Sequence, residues 1–152
     1  MRKALFLVVG LLVAVVSVSG FATEGASAAE TEVAGHGTLY ARGSGLAVVE
    51  GDGRVTVSSW GYGQVIVCGA EKIEARGEGR RVDLPGRCVQ FIGFKGRIHA
   101  AGEDMKVTME ARSLAFTAEG EGHAFLKGIG SFKVGDVSGR WTKDGVRVHY
   151  SS

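Results

Sequence analysis

The chain is 152 residues long with a formal net charge of +2, and it contains 25 glycines, one proline and no asparagine. Near-balanced charge gives no general pull towards nucleic acid or anionic lipid. Glycine at this density argues against helix, at about 1 kcal/mol per position relative to alanine, and the lack of asparagine excludes N-x-[ST] glycosylation.

Arg2 and Lys3, the apolar run Ala4–Val18 and the small residues Ala26, Ser27 and Ala28 read as a secretory signal peptide over residues 1–28. Cleavage after Ala28 leaves residues 29–152, the size of one domain with one core. A retained leader, close to the roughly 20 apolar residues that span a bilayer, is the one route by which the sequence places the chain on a membrane.

From Gly37 to Gly69 the odd positions are small or apolar, and the even positions carry Tyr40, Arg42, Glu50, Asp52, Arg54, Trp60, Tyr62 and Gln64. Strict alternation is a strand signal with one face inward. The G-x-G pairs at 43/45, 51/53 and 61/63 read as turns between short strands. A three-residue hairpin loop Gly51–Asp52–Gly53 places Val49 opposite Val55 and keeps the apolar face.

Cys68 and Cys88 permit one pairing, and an oxidising compartment favours the bridge. Between them and beyond, Leu84–Pro85–Gly86 and Gly102–Glu103–Asp104 read as loops, "KVTMEA" and "SLAFTA" as strands, and Asp144 with Gly145 as a hairpin turn. "ARGSGLAVVEGDGRVTV" (41–57) returns as "AEGEGHAFLKGIGSFKV" (118–134) with its glycines in place. The expected fold is all-β, an antiparallel meander of short strands in which the two glycine-rich meanders form a sandwich or barrel. A β-solenoid is the alternative, since G-x-G can also bend a strand without reversing it.

The repeated pattern A-x-G-x-G-x-A-x-[VLF]-x-G-x-G-x-[VF]-x-V around "QFIGFKGRIHAAGEDMKV" resembles a group of exported bacterial glycine-rich β-repeat proteins known mainly as hypothetical proteins. The resemblance implies export and a β-repeat fold, and it implies no activity.

No catalytic signature, phosphate loop or metal-binding motif is present, so neither an enzyme nor a cofactor is expected. His36, His99, His123 and His149 are scattered, and a zinc site would depend wholly on the fold. Glu119 and Glu121, spaced along one strand face, read as solubilising residues. The basic excess of Arg76, Arg80, Arg81, Arg87, Lys95 and Arg97, diluted by Glu74, Glu78 and Asp83, reads as a solvated face.

Tyr40, Trp60 and Tyr62 share the even phase and are the candidate ligand residues. Exposed aromatics on a sheet stack on sugar rings, with Arg42, Arg54 and Gln64 near enough in sequence to hydrogen-bond hydroxyls. Ile66 and Cys68 continue the same phase, which favours reading this face as a second half of the core. The functional expectation is an exported structural or interaction module without catalytic activity, self-associating or, alternatively, binding an envelope polysaccharide.

Overall fold

The structure, a computed structural model, describes residues 31–152; the leader assigned to 1–28 lies outside the described residues. The strands are β1 (Thr31–His36), β2 (Leu39–Trp60), β3 (Gly63–Cys68), β4 (Lys72–Leu84), β5 (Cys88–Val134), β6 (Val137–Arg140) and β7 (Val146–Ser151). All belong to one mixed sheet. It is antiparallel except where β1 runs parallel to β7. The fold is all-β and sandwich-like, as the alternation predicts.

The strands are far longer than the glycine punctuation suggests. β5 runs antiparallel to β2 twice, once along each edge. On the first pass residues 95–118 follow β2 from Trp60 back to Leu39, and on the second residues 114–134 follow it again. Residues 114–118 belong to both passes, paired with 39–43 on one side and with 55–59 on the other. Both ends of one strand can flank the same five residues only if β2 curls round on itself.

Glycine supplies the curl. Across the second pass Gly43 faces Gly130, Gly45 faces Gly128, Gly51 faces Gly122 and Gly53 faces Gly120. Gly43 and Gly45 stand as far before Val48 as Gly53 and Gly51 stand after it. The grid is therefore palindromic, and its two copies meet glycine to glycine when they pair antiparallel. At one such corner Gly53 and Gly120 take φ of +122° and +113°. A Cβ on Gly53 would stand 2.9 Å from the Gly120 Cα and closer still to the Glu119 carbonyl oxygen.

The expected hairpin at Gly51–Asp52–Gly53 is thus a bend. Val49 pairs with Val107 and Ala124, and Val55 with Ala100 and Ala118. Gly102–Glu103–Asp104 is also no loop: the chain stays on the same edge of β2 through a bulge. There Asp104 takes φ +50°, and its N–H donates to Asp52 Oδ1 at 2.7 Å. Asp144 and Gly145 turn the chain from β6 to β7 without forming a hairpin, because both strands pair with β5. The tight hairpin is Val134–Val137, with Gly135 at φ +56°. The Leu84–Pro85–Gly86 region does turn, joining β4 to β5.

The odd-numbered residues of β2 point inward as the alternation predicts. Leu39, Ala47, Val49, Val55 and Val57 are buried among Ile98, Val107, Met109, Phe116, Leu126, Val134 and Val148. Trp141 closes one corner: its ring lies over Gly43 and Gly130, where a Cβ would come within 3.1 Å and 3.0 Å of Cδ2, and its Nε1–H donates to the Ser131 carbonyl at 3.2 Å.

Cys68 and Cys88 are directly opposite on β3 and β5 and are disulfide-bonded, 20 residues apart in sequence. Such a bridge forms in an oxidising environment.

Three substitutions test this geometry. Gly53→Ala should lose at least about 3 kcal/mol in urea denaturation, because the backbone conformation and the neighbouring carbonyl both oppose a side chain. Gly86→Ala, at φ +77° with nothing within 4 Å of its Cβ, should lose only about 1–2 kcal/mol. Replacing both cysteines with alanine should cost about 3 kcal/mol through the freed loop, read from the same denaturation midpoints.

Candidate functional site

Because 114–118 lies between the two ends of β2, one row of outward side chains runs from Arg76 on β4 across six further strand segments. In register these are Arg97, Ser58, Ala115, Arg42, Ser131 and Arg140. The next row reads His99, Thr56, Thr117, Tyr40, Lys133 and Ser138. Serine, alanine and threonine are short and arginine, lysine and tyrosine are long, so the face dips where the short residues stand between the long ones. The result is an open hollow of about 860 Å³.

Arg42, Arg97, Lys133 and Arg140 line this hollow, with hydroxyls from Tyr40, Thr56, Ser58, Thr117, Ser131 and Ser138, and no carboxylate is among the lining residues. Among the described residues, none of those four cations takes part in an ion pair. Thr56 Oγ1 and His99 Nδ1 are hydrogen-bonded at 2.9 Å, holding the row's far end.

The even face of β2 is not a second half of the core. Tyr40, Trp60 and Tyr62 are 56%, 49% and 67% exposed among the described residues. The structure brings them to one region but not onto one platform. Tyr40 borders the basic hollow. Trp60, opposite Lys95 at the end of β2, borders a second hollow with Arg112 and Ile129. Tyr62, in the turn after β2, borders a third with Ile92, Glu110 and Lys127. Arg42 and Arg140 line both of the first two.

Of the three polar residues expected beside the aromatics, only Arg42 lies in the basic hollow. Arg54 sits at the opposite end of the face, 3.8 Å from Glu119. Gln64 accepts a hydrogen bond from Gln90 Nε2 at 2.7 Å and donates weakly to Glu110. Glu119 and Glu121 are exposed, as expected of solubilising residues. Sequence reasoning missed Arg140 and Lys133 and placed Arg97 in a merely solvated group. Each is in the outward phase of its own strand, but only the register shows that they converge.

A third outward row reads His149, His123, Glu50, Lys106, Cys68 and Cys88. Here the charges satisfy one another: Glu50 lies 3.0 Å from Lys106 and 3.3 Å from His123, and the His123 and His149 rings are 5.8 Å apart. Among the described residues no cluster of three or more His, Cys, Asp or Glu side chains is arranged to hold a metal ion. The Lys106 hydrogen bond, with Coulombic help from Lys106, His123 and Arg147, outweighs desolvation and holds the Glu50 carboxyl below its ordinary value.

Comparison with protein-family models, with curated proteins and with solved structures gives no match. The chemistry of these faces is therefore read from their side chains.

The lowered Glu50 carboxyl has a definite sign. Its contribution to stability is present above the ordinary carboxylate value and is lost as pH falls through the lowered one. With both partners more than a third exposed, screening keeps that contribution below about 1 kcal/mol. Lys106→Met should raise the Glu50 pKa towards the ordinary value in a carboxylate NMR titration, and an unchanged titration would refute the assignment.

Proposed function

We propose that this chain is an exported, non-catalytic interaction module of the cell envelope or extracellular space, and that it binds a polysaccharide on the outer face of its sheet. The disulfide and the secretory leader read at residues 1–28 support export. The observation that carries the binding reading is the pairing of exposed rings, Tyr40 and Trp60, with a hydroxyl-lined hollow between the two ends of β2. Rings that cost free energy to expose are useful where a sugar ring covers them. The surrounding serine and threonine hydroxyls match the hydrogen-bonding groups of a sugar.

Self-assembly through sheet edges is the weaker reading. The long edge strand β4 presents Lys72, Glu74, Arg76, Glu78, Arg80, Arg81 and Asp83 and pairs on one side only, with β5. Charged side chains on an edge oppose strand addition by a second copy.

In sedimentation with isolated cell-wall polymer the purified protein should pellet with the polymer and stay in solution without it. Tyr40→Ala and Trp60→Ala should each weaken that binding about five- to thirtyfold, the equivalent of 1–2 kcal/mol, while leaving the circular dichroism spectrum unchanged. A folded protein that remains in the supernatant with every polymer tested would sink the binding reading, and pelleting alone in native β form would restore assembly.

A further inference from the structure

The three arginines of the central row that line the hollow make a more specific statement about the ligand. They lie on β5, β2 and β6, brought into line by register alone. With neighbouring strands about 4.8 Å apart, Arg42 is roughly 10 Å from Arg140 and roughly 14 Å from Arg97, measured across the sheet. Only Ser131 stands between the first two, and Ser58 and Ala115 between the second two. Lys133 stands beside Tyr40 in the adjoining row.

The spacing is that of the strands on which the three side chains are rooted. It suits an extended chain that carries negative groups at intervals and lies across the strands. The short residues between the arginines leave room for the uncharged part of such a chain, and Tyr40 and Trp60 flank its path. Among the described residues, no carboxylate of the protein itself lines the hollow. Glu50 is paired with Lys106, Glu119 lies near Arg54, and Glu74 is held by Lys72.

We propose that the hollow centred on Arg42 is a binding site for an anionic glycan, with Arg97, Arg42 and Arg140 taking its charged groups and Tyr40 and Trp60 its ring or backbone faces. The assignment rests on the polysaccharide-binding reading above and adds the ligand's charge. Guanidinium groups take carboxylate and phosphate alike, so the shared chemistry is an anionic oxygen borne on a carbohydrate or polyol chain.

Calorimetric titration of the purified protein with polygalacturonate, poly(glycerol phosphate), dextran and a short DNA duplex tests this directly. One or both anionic glycans should bind, and which one does identifies the anionic group. Dextran should bind at least tenfold more weakly. Arg42→Gln should weaken binding about tenfold, Arg42→Lys less, and Arg42→Gln with Arg97→Gln together more. Arg80→Gln on the β4 edge, the same change in net charge outside the hollow, should leave affinity unaltered. Raising NaCl from about 50 to 500 mM should lower affinity at least tenfold.

Equal, salt-independent binding of dextran with no effect of the arginine variants would overturn the anionic assignment and leave polysaccharide binding standing. Absence of binding to all three glycans by a protein with native circular dichroism would overturn both. Tighter binding to DNA than to either anionic glycan would overturn the glycan assignment in favour of a nucleic acid.

Discussion

Everything in this fold depends on backbone meeting backbone where two glycines face each other across an antiparallel ladder. A β-ribbon with a Cβ at every position twists but resists sharp bending, because side chains on the inside of a bend collide with the partner strand. Removing the Cβ on both strands at the same level takes away that obstacle twice over. Gly53 with Gly120 and Gly43 with Gly130 do this at two corners. The stretch between them, Leu46–Glu50 against His123–Lys127, stays an ordinary pair of strands. Once β2 is bent at both corners its ends come to flank residues 114–118, and the row from Arg97 to Arg140 exists only because they do. The surface chemistry is thus a geometric consequence of the glycine grid, although none of the glycines is needed to touch a ligand.

The alternation of β2 was legible in the sequence, since odd and even phase is a local property and survives any change in how strands pair, but that its even face stays outside the core was not. What the phase could not decide was whether Gly51–Asp52–Gly53 reverses the chain or bends it. A three-residue hairpin and an uninterrupted strand both leave Val49 and Val55 on the same face, so the hydrophobic pattern is identical for the two. The discriminating signal was the palindrome. Glycines placed symmetrically about Val48, and repeated at 118–134, align with one another only if the two copies pair antiparallel as continuous strands. Similarly, Asp144 and Gly145 have the composition of a hairpin turn, but β6 and β7 each find a better partner in β5, and tertiary pairing overrides local turn preference.

The site was legible in part. Tyr40, Trp60 and Tyr62 had the correct phase to be exposed, and the reading that buried them came from Ile66 and Cys68, which share that phase on β3. The structure separates the two cases: β3 lies between two segments of β5, 88–92 and 106–111, and its outward residues are half-buried. Tyr40, between Thr117 and Lys133, stands exposed. Exposure on a sheet face depends on cross-strand neighbours, which a single strand's sequence does not contain. The same limit hid the basic hollow, whose four cations come from segments far apart in the chain.

Charge is distributed over the outer surface in two different ways, and the difference bears on function. Around Glu50 and along β4, acids and bases alternate and pair: Lys106 with Glu50, Lys72 with Glu74, Arg81 with Asp83. Such pairs contribute little to stability at exposed sites, but they leave no net field and no adhesive edge. In the hollow, among the described residues, Arg42, Arg97, Lys133 and Arg140 have neither an ion pair nor a carboxylate beside them in the lining. Like charges gathered this way add to one another's potential instead of cancelling it. A chain with nearly balanced overall charge thus carries a local basic excess on this face, and the rings of Tyr40 and Trp60 stand at its margin.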